Sequence, residues 1–315
     1  MIAIFYRRNG RLVVSQSETE LSKLNRDDVL WIDLLSPSGE EKHTVDDFLG
    51  EEIQSRAQAE EIESSSRYSE TENAIFANTN FLMPGPEDYS MEAVSFTFVD
   101  NCLTTLRDVP LRSFTELQRR IIAKPHLFLN GYSVFVSIMD QRVDLDADMI
   151  ELMSKEIAQY SKRINQQEDI NEDFLLDINQ LQDNTMIVRE NIIDKQRLIS
   201  NMIKSDKYPP ELQSRFNVIL QDITSLINHA NFSFERLEYL QETVLGLINL
   251  DQNNIMKIFT LVSVLLMPPT LVASFYGMNV PLPFMEKGWA WFALLLFMGL
   301  LVAVVLYIFR KKKMF

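Results

Sequence analysis

Asn253, Met256, Thr260, Ser263, Met267, Thr270 and Ser274 recur at intervals of three and four residues, the spacing that sets side chains on one face of an α-helix. Their groups are an amide, hydroxyls and thioethers, with no carboxylate, imidazole or thiol among them. Neutral oxygens of this kind are too weak to strip water from a hard dication or to hold zinc firmly, yet they accept hydrogen bonds from the water that an ion carries. Mg²⁺, which dehydrates reluctantly, is the ion that suits them best. A Ser or Thr in an apolar helix can also bond its own backbone, so the stripe taken alone leaves a purely structural role open. The same face continues backward through Asn249, Gly246, Glu242 and Glu235, which adds two carboxylates below the neutral segment. Asn279 lies past its other end, just after Gly277 and Met278. Glycine ends a helix readily in the left-handed conformation, so the chain is expected to turn at Gly277 and carry Asn279 over the axis. One such helix cannot encircle an ion; several copies around one axis are required.

The elements that must carry this stripe are long and apolar. Residues 258–285 and 288–309 contain no Asp, Glu, Lys or Arg, and each run approaches the ~20 apolar residues that cross about 30 Å of hydrocarbon. The sequence RKKK at 310–313 follows the second run, and the positive-inside rule assigns it to the cytoplasm; Trp289, Trp291 and Tyr307 lie near the ends as interfacial aromatics do. Two spans return the chain to its starting side, so both termini are expected to be cytoplasmic. Pro268 and Pro269 remove two backbone donors in mid-span, which calls for close protein or water surroundings.

Composition narrows the function classes. The chain has 315 residues with 44 acidic against 30 basic, a net charge of −14, which makes nucleic acid a poor partner and cations a natural one. The single cysteine, Cys102, excludes an intramolecular disulfide and any zinc site built on several thiolates. There is no G-x-x-x-x-G-K-[ST] loop and only nine glycines in all, so no nucleotide cofactor is implied. A divalent ion crossing about 100 mV, negative inside, gains roughly 5 kcal/mol, enough to drive uptake without one. His43, His126 and His229 are scattered and no HExxH is present, which argues against an enzyme. No signal peptide is expected, since the first apolar stretch is brief and runs into arginines.

The fold class expected is α+β. IAIFYR and RLVVS around Asn9-Gly10 read as a hairpin, VLWIDLL as a strand, and AVSFTFVD with LTTLRD as a second hairpin across Asn101-Cys102. Ser38 with Glu41 suggests a capping box opening a helix that stops at Gly50. Beyond about residue 113 the pattern is helical: a short helix, a long one over 132–165, another over 172–204, and after Pro209-Pro210 a helix from about 211 to 276, roughly 100 Å long at 1.5 Å per residue. Residues 1–165 are therefore expected to be a cytoplasmic α/β domain with the start of the helical region, 166–256 cytoplasmic helices and a stalk, and 257–315 the membrane domain. Its spans would be about 257–277 and 289–309, with an outer loop at 278–288 and a basic tail at 310–315.

YGMN at residues 276–279, preceded by MPPTLVAS and NNIMKIFT and followed by a second span and a basic tail, resembles the CorA family of magnesium transport proteins, most closely its bacterial magnesium/cobalt branch. VLWIDLLSP and EEIESSSRYSE look like family segments as well. The resemblance implies a homopentameric funnel in the inner membrane, with one pore-lining stalk helix per protomer, that takes up Mg²⁺, Co²⁺ or Ni²⁺. It makes Gly277, Met278 and Asn279 the selectivity filter. Asn253, Met256, Met267 and Thr270 would line the pore, the methionines forming an apolar gate, and Glu242 would stand at the cytoplasmic mouth. Family members close when Mg²⁺ fills acidic sites between cytoplasmic domains; Asp222 and Glu63 are candidates by charge and position alone. The loop VPLPFMEKG departs from the acidic MPEL common in the family, keeping Glu286 beside Lys287. A zinc transporter of the same superfamily, or a non-conducting membrane-anchored sensor, are the alternatives.

Overall fold

The structure is a computed structural model that describes residues 1–54, 67–85, 89–166, 170–278 and 287–311. The chain divides into two compact units, Met1–Gln241 and Glu242–Phe315. The first is organised by one seven-stranded sheet. β1 (Ile2–Arg8) and β2 (Arg11–Ser15) form the expected hairpin, and Asn9 and Gly10 both take positive φ, 53° and 74°, as that two-residue turn requires. β3 (Val29–Leu35) follows. Then come α1 (Gly39–Leu49), β4 (Tyr68–Glu70), β5 (Ala74–Pro84), β6 (Tyr89–Val99) and β7 (Cys102–Arg107). The strand order is β2-β1-β3-β7-β6-β5-β4, antiparallel throughout except where β3 meets β7.

β5 is the strand that the sequence pattern conceals. Ala74 to Thr79 are buried without a break, so the alternation that marks a half-exposed strand is lost. The capping box of α1 is present: the Glu41 amide donates to Ser38 Oγ at 3.1 Å and the Ser38 amide to Glu41 Oε2 at 2.9 Å. Gly50 ends the helix in the left-handed conformation, φ 69°.

The helical part comprises α2 (Arg112–Ala123), α3 (Gly131–Gln166), α4 (Glu172–Lys204), a 3₁₀ turn at Pro210–Leu212, α5 (Gln213–Tyr276) and α6 (Ala290–Lys311). Gly131 has a steric reason: its amide donates to the Asn101 carbonyl at 2.7 Å, and a Cβ there would stand 2.4 Å from the Leu103 nitrogen. Only glycine lets α3 begin so near the β6–β7 turn.

The sheet has apolar cover on both faces. Ile2, Ile4, Ile32 and Leu34 pack with Val45 and Leu49 of α1. From the other face of those strands, Phe5 stacks on Trp31 at 4.8 Å, and Trp31 leans on Phe114 of α2 at 6.0 Å. Phe96 and Phe98 meet Phe135 of α3 at 5.0 and 5.4 Å, and Phe135 reaches Phe216 of α5 at 6.1 Å. Each ring removes an area worth roughly 1.5–3 kcal/mol from water.

Two buried polar networks lock these layers. Asp33, 2% exposed, accepts from Arg107 Nε and Nη2 at 3.1 and 2.8 Å, from Thr105 Oγ1 at 2.9 Å and from Gln118 Nε2 at 2.9 Å, which ties β3, β7 and α2 together. In the second network Asp146 of α3 accepts from Arg142 Nη2 at 2.6 Å and from Lys195 Nζ of α4 at 2.6 Å. Lys195 also donates to Asn191, whose amide reaches the Asn80 carbonyl of β5 at 2.8 Å. Burial pulls the Lys195 ammonium down to about 8, opposed by the Asp146 charge.

Removing one partner of the first pair strands the other. Asp33→Ala is expected to cost about 3–5 kcal/mol by leaving Arg107 buried and uncompensated. A thermal midpoint of the purified chain within a degree of the parent would contradict this. For Lys195 the folded value lies below the ordinary value of 10.5, so between about pH 8 and 10.5 the unfolded chain holds a proton that the folded chain has released. Its contribution to stability therefore rises with pH in that window, by up to about 1.4 kcal/mol per unit, and is flat below it. The stability difference between the parent and Lys195→Met, measured by urea unfolding at pH 7 to 10, should climb above pH 8; a constant difference would refute the assignment.

Candidate functional site

The second unit contains the carboxyl-terminal part of α5 and the whole of α6, the two helices among the described residues that are long and apolar enough to cross a membrane. Helices are what such sequences must form there, because hydrocarbon offers no partner to a backbone N–H or C=O. Among the half-covered positions of α5, which also include Ser263 and Pro269, Leu261, Val264, Leu265, Pro268, Val272 and Tyr276 recur mostly at three- and four-residue steps. Those of α6, Ala293, Leu294, Met298, Leu301, Val305 and Phe309, do the same, the pattern of two helices laid side by side. An apolar cleft between them is lined by Leu271, Val272 and Phe275 on one side and by Ala293, Leu294 and Phe297 on the other. Small alanines at helical spacing in α6 are the sequence signal from which this seam could have been found.

The polar stripe occupies a different side of α5. At about 100° per residue it is centred roughly a third of a turn away from the half-covered positions. Asn253, Met256, Thr260, Met267, Thr270 and Ser274 are exposed, and Ser263 is half-buried. Met256 and Met267 are 60% and 66% exposed. The structure thus places all seven residues within one face of α5, six of them exposed and Ser263 partly covered.

Hydrogen bonding on this face is specific. Ser263 Oγ donates to the Phe259 carbonyl at 2.9 Å and Thr270 Oγ1 to the Leu266 carbonyl at 2.7 Å. Each hydroxyl hydrogen is committed to the helix, and what remains on the oxygen is acceptor capacity. Backbone bonding by these hydroxyls and an acceptor role toward a hydrated cation are therefore compatible. Pro268 and Pro269 lie within an unbroken helix, and as prolines they cannot donate to the carbonyls of Val264 and Leu265.

Gly277 departs from expectation. α5 ends at Tyr276 as expected, but the φ of Gly277 is not positive; its amide donates to the Ala273 carbonyl at 2.9 Å and the Met278 amide to the Phe275 carbonyl at 3.4 Å, a four-residue bond followed by a three-residue one. A Cβ at Gly277 would lie 3.3 Å from the Ala273 oxygen, a tight fit at this point. Met278 is exposed, whereas Asn279 lies outside the described residues, as does Glu63.

Glu235 and Glu242 are exposed on α5, Glu235 in the first unit and Glu242 in the second. Asp222 is exposed too and joins an acidic face with α3: burial raises the Asp144 carboxyl above its ordinary value, with further contributions from Asp140, Asp148 and Asp222. Among the described residues no group of three or more His, Cys, Asp or Glu is disposed to hold a metal ion.

Known proteins share this arrangement. The sequence profile of the CorA-like Mg2+ transporter protein family matches residues 26–311. The magnesium transport protein CorA of Wolinella succinogenes is 32% identical over 319 residues, 99% of each chain, and that of Escherichia coli K12 is 30% identical over 317 residues, again 99% of each. The complete CorA magnesium transporter structure from Methanocaldococcus jannaschii superimposes with a TM-score of 0.81 at 18% identity, covering 99% of this chain and 98% of that one. A strand-rich amino-terminal unit, one long helix and a second apolar helix are thus a fold shared with a solved structure, and over residues 26–311 the chain belongs to the CorA family.

Proposed function

We propose that this protein is a homopentameric channel for hydrated Mg²⁺ in the inner membrane, admitting Co²⁺ and Ni²⁺ as well. The observation that carries the reading is the stripe of amide, hydroxyl and thioether groups on α5, exposed except at the half-buried Ser263, with Ser263 and Thr270 reduced to acceptors. Bound water donates outward from a cation, so such oxygens suit an ion that keeps its shell. Gly277, Met278 and Asn279 form the filter in this reading, Met256 and Met267 the apolar constriction, Asn253 the inner polar ring, and Glu242 with Glu235 the cytoplasmic mouth. Relatives named magnesium transport proteins over 99% of their length support magnesium as the cargo. The basic cluster after the second span supports cytoplasmic termini. The membrane potential supplies the driving force, and Mg²⁺ binding to acidic cytoplasmic surfaces, with Asp222 and Glu63 as candidates, closes the pore by favouring one conformation over another.

Asn279→Ala is expected to abolish Mg²⁺ uptake in cells that lack their own magnesium transporters, while expression stays normal; uptake at parental rate would refute the filter assignment. Flux of Mg²⁺, Co²⁺, Ni²⁺ and Zn²⁺ into proteoliposomes, run side by side, separates the magnesium channel from a zinc transporter. Zinc flux exceeding magnesium flux would select the latter.

The lining can be mapped with thiols, because the parent is chemically quiet: Cys102 is buried and its thiol is pushed up to about 12, chiefly by burial. Cysteines placed at Thr260, Met267, Thr270 and Ser274 should react with a charged, water-soluble thiol reagent and block flux. Cysteines at Val262 and Leu266, exposed positions off the stripe, should not react. Equal labelling of both sets would remove the basis for the stripe.

A further inference from the structure

Away from the membrane helices, the first unit holds a cleft of ≈ 530 Å³ between α3, α4 and the start of β6, within the range of about 300–1,000 Å³ usual for small-molecule sites. Glu156 and Tyr160 of α3 are four residues apart and share a face, as do Asp177 and Leu181 of α4, so the two helices turn matching stripes toward it. Tyr89, the first residue of β6, contributes a second phenol ring. Among the described residues no Lys, Arg or His lines the cleft. Burial and then Glu156 raise the Tyr89 phenol above its ordinary value; burial, Asp177, which also accepts a hydrogen bond from it, and Glu156 do so for Tyr160 against the opposing Arg163 charge. Both carboxylates therefore stand beside half-buried aromatic rings. One wall of the cleft already has a cation near it: the Arg163 guanidinium lies 5.9 Å from the Tyr160 centroid and, closer, 4.7 Å from that of Phe174.

We propose that this cleft binds a free aliphatic polyamine, with Glu156 and Asp177 each receiving an ammonium group and Tyr89 and Tyr160 walling its methylene chain. A hard metal ion fits less well. It wants several oxygens converging at about 2.0–2.6 Å, and no group of three or more such acidic or imidazole ligands is found among the described residues. An amine instead gains from ring faces and from apolar contact along its stem. Carboxylates on two different helices suit a ligand with more than one charge.

The test is equilibrium dialysis of the purified, EDTA-washed full chain with radiolabelled spermidine at neutral pH. Saturable binding of one spermidine per chain is expected. Glu156→Gln combined with Asp177→Asn should weaken it at least about tenfold. Tyr160→Leu should weaken it several-fold while Tyr160→Phe, which keeps the ring, should not. Glu151→Gln removes a carboxylate of α3 that pairs with Lys155 and does not line the cleft, and it should bind as the parent does. Asn279→Ala should also bind normally, so failure of the pore reading and failure of this one are distinguishable. Absence of saturable binding, as when a lysine of a neighbouring copy fills the cleft, would overturn the proposal. So would unchanged binding by the double variant, or complete displacement by an equal concentration of Mg²⁺.

Discussion

Hydrocarbon cannot hydrogen-bond, and that constraint shapes the second unit. It forces helices, it keeps ionised groups out of residues 258–285, and it leaves neutral oxygens and sulfur as the only polar chemistry along α5 within that run. Hydroxyls that bond back to their own carbonyls satisfy the constraint within one chain. Two consecutive prolines strain it, and they coincide with half-covered positions on the side of α5 away from the stripe. Packing on one side and polarity on another are thus separated around the same helix.

The first unit solves the opposite problem, since water is abundant and a scaffold must exclude it. Aromatic rings run from the sheet through α2 and α3 to α5, and two buried ionic networks fix registers that apolar packing alone would leave loose. Asp33 joins the one parallel strand pair to α2; Lys195 and Asp146 join α3 to α4 and, through Asn191, to β5. Breaking either leaves a charge in the dry interior, so both networks act as all-or-none constraints.

Much of this was legible in the residues because the deciding signals are local. Asn9-Gly10 needs only its own dihedral preference, Ser38 with Glu41 needs only three residues of spacing, and the apolar runs need only length. The stripe from Asn253 to Ser274 was legible for the same reason, since helical period follows from the helix itself. β5 was hidden because burial on both faces erases alternation. At Gly277 the helix end was legible and the sign of φ was not, because glycine permits the left-handed turn without demanding it. The Asp33 and Lys195 networks, and the alliance of Tyr89 with residues of α3 and α4, depend on contacts between positions far apart in the chain, which no window of sequence contains.

The direction of the Ser263 and Thr270 hydroxyls has a consequence for ions of the other sign. Chloride and phosphate need a hydrogen pointed at them, and along this face those two hydrogens are turned inward to the Phe259 and Leu266 carbonyls. An approaching chloride or phosphate would therefore find no hydrogen at either of these two side chains, only an oxygen.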